Sequence, residues 1–420
     1  MQLHCLFFFI RFYIQNIYFS NVLTKLKSLG PGLLYAGAAI GVSHLVQSTK
    51  AGATYGYVLI IAIVLAHIFK YPFFAIGPRY AKATGTSLVA GYAQMGKWAI
   101  ILLLVLTIST MFTVQAAVTI VTAGILQHIG AALTAPVLSL LLLLVCFVLL
   151  NVGNYSLLDH LMKVIMIVLS LSTLTAFILS FNVDIETLPS AMVHFDITTK
   201  QDLGFLMAFV GWMPAPLDIA IWHSIWTLAN GKPSEKGNFD FNVGFFGTAI
   251  LGICFLVLGA HTLYGTGETL AASAGGFAAQ LITTFTSSLG SWSYWLISIA
   301  AFTTMFSTTL TCFDAMPRVM SKIGEELNFS KTFTKTTTWQ IVLLAGSMLI
   351  LFYFMSSMKQ MVTFATIVSF LTAPILAWLS YKLVTKHPQI KLWSTSETLV
   401  AKMGIVALVA LSVLYVVSFL

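Results

Sequence analysis

Eleven mostly apolar stretches follow one another along the chain, near 31–54, 57–77, 98–126, 134–151, 158–181, 203–229, 242–264, 289–315, 337–357, 361–384 and 398–419. A helix needs roughly 20 apolar residues to cross the hydrocarbon core of a bilayer. Each stretch is therefore expected to be one transmembrane helix, and most read as uninterrupted and polar only at their ends. Composition agrees: 58% of the residues are hydrophobic and 8% charged, against about 25% charged in soluble domains. The expected class is an all-α polytopic membrane protein whose partner is the lipid bilayer.

Loop charge sets the expected orientation, because Lys and Arg collect on the cytoplasmic side. With the N-terminus (Arg11, Lys25, Lys27) in the cytoplasm, alternate loops hold Arg79, Lys82 and Lys97, then Lys163, then Lys232 and Lys236, then Arg318, Lys322, Lys331 and Lys335, and last Lys382, Lys386, Lys391 and Lys402. The opposite loops hold Lys200 and Lys359 beside Asp184, Glu186, Asp196, Asp202 and Glu268. The expected location is the cell (inner) membrane with an external C-terminus. The net charge of +8 arises in these loops and implies no nucleic acid. Cys5, Cys146, Cys254 and Cys312 are scattered without metal-ligand spacing, so neither a disulfide framework nor a zinc site is expected. Residues 1–25 read as a cytoplasmic or interfacial extension rather than a signal peptide, because Arg11 splits the apolar run. Residues 26–420 read as one transporter domain.

Two spans carry interruptions. The first is broken by Gly41-Val42-Ser43-His44 and continues through Gln47, Ser48, Thr49 and Lys50. The sixth has Pro214 and Pro216 in mid-membrane beside Gly211. Each proline removes a backbone donor and clashes with the preceding turn. Eleven spans divide into two five-helix halves plus one, which makes the first and sixth helices equivalent. Matching interruptions in equivalent helices are the best sequence pointer to a transport site.

The phrase Gly30-Pro31-Gly32-Leu33-Leu34, followed later by Ala51-Gly52-Ala53, resembles the first helix of the Nramp family of divalent-metal transporters. The Met213-Pro214 pair is similar to that family's methionine–proline motif, and the run Arg79–Tyr92 is also similar. The resemblance implies the LeuT-type fold, a five-plus-five inverted repeat with one extra helix and with helices one and six broken. It further implies proton-coupled uptake of manganese, iron or a related divalent cation. The chain departs from the family at Gly41-Val42-Ser43-His44, where members carry Asp-Pro-Gly-Asn. An ungapped alignment puts Gly41 at the metal-binding, proton-coupling aspartate and His44 at the asparagine. Met213 stands at the family's methionine, whereas matching His223-Ser224 to the family's later His-Ser shifts the register by a few residues. The family's glutamine in helix ten is replaced by a segment offering Thr366, Ser369 and Thr372.

The candidate substrate-binding residues are Gly41, Ser43 and His44 of the first break and Gly211, Met213, Ala215 and Asp218 of the second, with His44, Met213 and Asp218 as metal ligands. Imidazole and thioether suit transition metals. A carboxylate in the membrane is costly and by default functional, although Asp is equally a good helix cap. His223, Lys50, Asp314, Thr304, Ser307 and Thr308 are candidate coupling or gating residues. The hydroxyls of the eighth helix either hold sodium, as in LeuT-like folds, or bond between helices. Lys50 either snorkels outward, pairs with a carboxylate or stands in for a coupling cation. Asp314 and Arg318 read as an i,i+4 pair. The leading reading is a proton-coupled carrier of a divalent cation working by alternating access. The alternative is a carrier of a small organic molecule or anion coupled to sodium or protons. No resident cofactor and a monomeric state are expected. No HExxH, Gly-x-Ser-x-Gly elbow, P-loop or carboxylate pair with a nucleophile suggests an enzyme.

Overall fold

The computed structural model describes residues 29–153, 155–181, 193–231, 238–267, 271, 273–353, 358–387 and 390–419. Several expectations lie outside them: the extension 1–25, the loop charges Lys27, Lys232, Lys236, Asp184, Glu186 and Glu268, and the end of the ninth stretch.

The first span consists of α1 (Pro31–Ala39), a π-helical segment (Val42–Ser48) and α2 (Thr49–Tyr55). The second is α3 (Ile60–Thr84), closed by Gly85 in the left-handed region at φ 69°. A short helix α4 (Leu88–Ala93) precedes the third span, α5 (Lys97–His128). The fourth and fifth are α6 (Ala135–Val152) and α7 (Tyr155–Ser180). The sixth is split into α8 (Lys200–Trp212) and α9 (Ile219–Ala229). The seventh is α10 (Phe239–Leu263), followed by α11 (Ala274–Leu289) and a 3₁₀ turn. The last four spans are α12 (Tyr294–Glu326), α13 (Thr336–Tyr353), α14 (Met358–Lys386) and α15 (Thr395–Phe419). Nine described helices are long and apolar enough to cross a membrane, and the divided first and sixth spans complete the eleven.

Three readings need correction. The polar run of the first span is not unwound. The helix breaks at Ile40–Gly41 and rewinds at once as a π-helix that carries Ser43 and His44. Such π segments concentrate at functional sites. The second span is not polar only at its ends, since His67 and Lys70 are buried within it. The helix α11 between the seventh and eighth spans was not anticipated; at 16 residues it falls short of a span.

Burial orders the bundle. The most apolar windows of α10 and α12 are each 67% buried, against 17% for α15. The seventh and eighth spans are thus central and the eleventh is peripheral. Helix α10 packs along the whole first span, and α12 packs on α5, α7 and α1. Helix α9 packs on α3, and α14 packs on α5 and α8. Large apolar side chains on α6, α7 and α15, among them Val152, Leu171 and Val406, point outward. In hydrocarbon that exposure carries no hydrophobic cost, because lipid tails are as apolar as Leu.

Candidate functional site

A break in a membrane helix frees carbonyl groups, and each needs a donor. In the first span the oxygens of Gly37 and Ile40 turn to side-chain donors, whereas the Ala39 oxygen also accepts from the Gly41 amide at 3.0 Å. The Gly37 oxygen accepts from the hydroxyls of Thr308 at 3.1 Å and Ser307 at 3.2 Å. Thr308 Oγ1 also lies 3.2 Å from the Ile40 oxygen, so its one proton serves either carbonyl in turn, and Ser43 Oγ lies 2.7 Å from the Ala39 oxygen. Ser307 and Thr308 therefore bond directly to the broken helix. Thr304 serves its own helix through Ala300 at 2.6 Å. Gly41 is required where the chain passes α12: a Cβ there would lie 2.3 Å from Thr308 Oγ1 and 2.8 Å from its Cβ.

His44 is completely buried on the π-helical segment. Its Nε2 lies 3.0 Å from the Thr248 carbonyl, which can only accept, so Nε2 carries a proton. Its Nδ1 lies 2.7 Å from Ser43 Oγ, which also faces the Ala39 oxygen at 2.7 Å. One hydroxyl proton cannot serve both acceptors. With neutral His44, Ser43 donates either to Nδ1 or to Ala39. Because the Ala39 oxygen also accepts from the Gly41 amide at 3.0 Å, a Ser43 proton given to Nδ1 leaves both the neutral ring and the carbonyl satisfied. Ser43 therefore ties the His44 ring to the Ala39 carbonyl at the first break. His67 of α3 lies on the other side of Thr248: its Nδ1 donates to the Ile63 oxygen at 2.7 Å, and its Nε2 lies 3.2 Å from Thr248 Oγ1, which itself reaches the Phe245 oxygen at 2.6 Å.

The sixth span ends its first half at Trp212, with a cis peptide between Met213 and Pro214. In a continuing helix the Val210 oxygen would accept from the amide of residue 214, which is a proline and has no hydrogen. Lys70 from α3 supplies the donor, reaching the oxygens of Val210 at 2.7 Å, Met213 at 2.9 Å and Gly211 at 3.3 Å. Gly211 lets α14 approach, because a Cβ there would lie 2.6 Å from the Thr366 oxygen. Asp218 occupies the N-cap position of α9 but caps nothing, and its Oδ1 is buried without a partner.

The two breaks face each other across a space of about 20 Å³, lined by Ala39, Val42 and Ser43 from one side, Trp212, Pro216 and Ile219 from the other, and Thr308 and Cys312 of α12. The Trp212 indole nitrogen is buried without a partner. His44 and Met213 come together beside this space: a Cβ on Gly252 of α10 would lie 3.6 Å from His44 Nε2 and 3.6 Å from Met213 Sδ. Asp218 is not brought to them. It lines a separate space of about 10 Å³ with Thr107, Thr110, Ser369 and Thr372, and Ser369 Oγ is also unpartnered. Ala215 is fully buried. His223 lies toward the other end of α9, stacked on Tyr35 with ring centroids 5.8 Å apart, and its Nδ1 has no partner. Among the described residues, no cluster of three or more His, Cys, Asp or Glu could hold a metal.

One end of this region is open and the other shut. A cavity of about 780 Å³ reaches Gln47, Lys50 and Thr54 of the first span, Gln201 and Phe205 of α8, and Lys359 of α14. Lys50 sits 5.2 Å from the centroid of Phe205 and faces this cavity. At the opposite end Trp226 donates to Asp314 Oδ2 at 2.9 Å, and Asp314 pairs with Arg318 at 2.8 Å. Both Trp226 and Asp314 are fully buried.

Sequence reasoning missed His67, Thr248, Lys70 and Gly252. The one available signal was that His67 and Lys70 are ionisable residues inside a span.

Known proteins match this arrangement. An uncharacterized protein of Pasteurella multocida (strain Pm70) is 38% identical over 390 residues, covering 89% of this chain and 88% of its own. The Eremococcus coleocola manganese transporter, solved with an aromatic bis-isothiourea substituted compound, superposes with a TM-score of 0.67 at 14% identity, over 95% of this chain and 87% of that one. Mhp1, a nucleobase-cation-symport-1 family transporter, gives 0.61 at 12% identity over 93% and 92%. MhsT in complex with L-phenylalanine gives 0.57 at 13% identity over 92% and 98%. These structures share the LeuT-type fold of two inverted five-helix repeats, here with an eleventh helix added. The sequence model of the natural resistance-associated macrophage protein-like family matches residues 32–420, so the chain belongs to the Nramp family.

Proposed function

We propose that this protein is a secondary active carrier that moves a divalent metal cation by alternating access, coupled to protons. The observation that carries the reading is the pair of interrupted spans facing each other across about 20 Å³, closed at one end and approached from a large cavity at the other. His44 and Met213, side by side at Gly252, supply an imidazole and a thioether. That donor set favours softer transition metals over magnesium or calcium. Both His44 nitrogens are engaged in this conformation. Ligation by His44 therefore requires Nε2 to give up its proton and the Thr248 carbonyl. His44, and separately Asp218, offer the coupling proton an acceptor.

The reading is tested by uptake of manganese into proteoliposomes under an imposed proton gradient. Saturable uptake, competed by iron and cobalt and abolished by a protonophore, is expected. Absence of any metal flux, with no metal-dependent change in thermal stability, would discard it.

A second reading has a specific observation behind it. The large cavity is lined by Lys50 and Lys359 and, among its described lining residues, by no carboxylate. A positively charged approach raises the local concentration of anions and lowers that of cations. This favours a small anionic or organic solute, and uptake of such a solute without metal flux would support it.

A further inference from the structure

Lys70 stands apart from the other described cations. It lies mid-span in α3, is 1% exposed, and its recorded hydrogen bonds are all to carbonyl oxygens rather than to a carboxylate. Burying an ammonium costs several kcal/mol unless its hydrogens are satisfied. All three have partners here, and all three partners come from one place, the C-terminal end of α8. That end carries the negative pole of the half-helix dipole. Pro214 offers the Val210 oxygen no i+4 donor, which leaves it the Met213 amide at 3.3 Å and the Lys70 ammonium at 2.7 Å. Carbonyl oxygens converging at the C-terminal end of a half-helix are the means by which broken membrane helices coordinate monovalent cations.

We propose that the end of α8 is a main-chain site for a monovalent cation and that Lys70 occupies it permanently. The Lys70 ammonium is then a built-in ion. It holds the carbonyls of Val210, Gly211 and Met213 in their interrupted geometry and so fixes where Met213 stands, without recruiting sodium or potassium from solution. Lys70 is a positioning residue, since it acts through the sixth span rather than on cargo. Its removal should uncover the site: a smaller side chain leaves a carbonyl pocket that a free ion can fill, whereas an uncharged chain of similar length leaves the pocket blocked and neutral.

The test uses the full-length purified protein in detergent, without any transported solute, so its outcome is independent of what the carrier moves. Thermal unfolding is followed in choline, sodium and potassium chloride at equal ionic strength. Wild type and Lys70→Arg should unfold at midpoints that do not depend on which cation is present. Lys70→Ala should unfold lower in choline and regain several degrees in sodium or potassium, saturably, as about a tenfold change in the unfolding equilibrium requires. Lys70→Met should be destabilised alike in all three salts. Equal midpoints for Lys70→Ala in the three salts, or a Lys70→Met protein as stable as wild type, would overturn the proposal. If neither neutral variant accumulates, Lys70→Arg decides: a folded, salt-insensitive arginine variant supports the built-in charge. Its failure too would show that the position needs the shape of lysine rather than its charge, and would likewise overturn it.

Discussion

His44 spends both ring nitrogens on neighbours within the protein, yet with Met213 it flanks Gly252, where the proposed function places the cargo. Gly252 separates these two roles. An added methyl at Gly252 would touch the His44 ring at 3.4 Å and Met213 Sδ at 3.6 Å, ordinary contacts that need no repacking. Gly to Ala in a helix interior gains up to about 1 kcal/mol in propensity. Gly252→Ala should therefore keep or slightly raise the thermal midpoint while cutting uptake severalfold, because the methyl fills the place where imidazole and thioether converge. Uptake kinetics at wild-type level alongside the stability measurement would remove His44 and Met213 from the binding step. His44, Met213 and Asp218 were legible in sequence because they stand in or beside visible interruptions. His67 and Lys70 were not, since a single polar residue in a long apolar run barely alters its mean hydropathy. Their importance comes from what faces them across the bundle, Thr248 and the end of α8.

Single elements show the same division. Pro214 and Pro216 made the sixth break legible, because proline acts through local backbone chemistry that any sequence displays. What holds the start of the first span was not legible, since its partner lies about two hundred residues away. Asp240, at the start of α10, accepts from the amides of Gly30 at 3.0 Å and Gly32 at 2.8 Å. These are two of the donors that the N-terminus of α1 leaves unpaired, and a carboxylate there also meets the positive pole of the helix. Asp240→Ala should cost about 3–6 kcal/mol, since it deletes two bonds to a charged group worth roughly 1.5–3 kcal/mol each. Asp240→Asn keeps one acceptor oxygen and should lose less. Chemical or thermal unfolding of the two variants checks the order, and equal stability of both with wild type would refute it.

At the scale of the whole molecule, one end stands open while Trp226, Asp314 and Arg318 close the other. Alternating access requires that closure to be broken at moderate cost. Trp226→Phe keeps an aromatic ring at the closure while deleting the bond to Asp314 and some of the packing around it. With that bond worth about 1.5–3 kcal/mol, the shut state should lose tenfold or more in population against its open counterpart. Cys312 borders the central space and is buried, so it reports the change. In a chain with the other cysteines replaced, maleimide should label Cys312 about tenfold faster in the Trp226→Phe background, and an unchanged rate would mean the closure lies elsewhere. The contrast between the wide approach and the narrow centre has its own consequence. About 20 Å³ admits little more than one water molecule, so in this conformation nothing arrives there still wearing its hydration shell. Under the proposed function, discrimination among ions begins with how readily each surrenders its water, before any ligand on the protein is touched, and a cation as reluctant to dehydrate as magnesium is disfavoured at that first step.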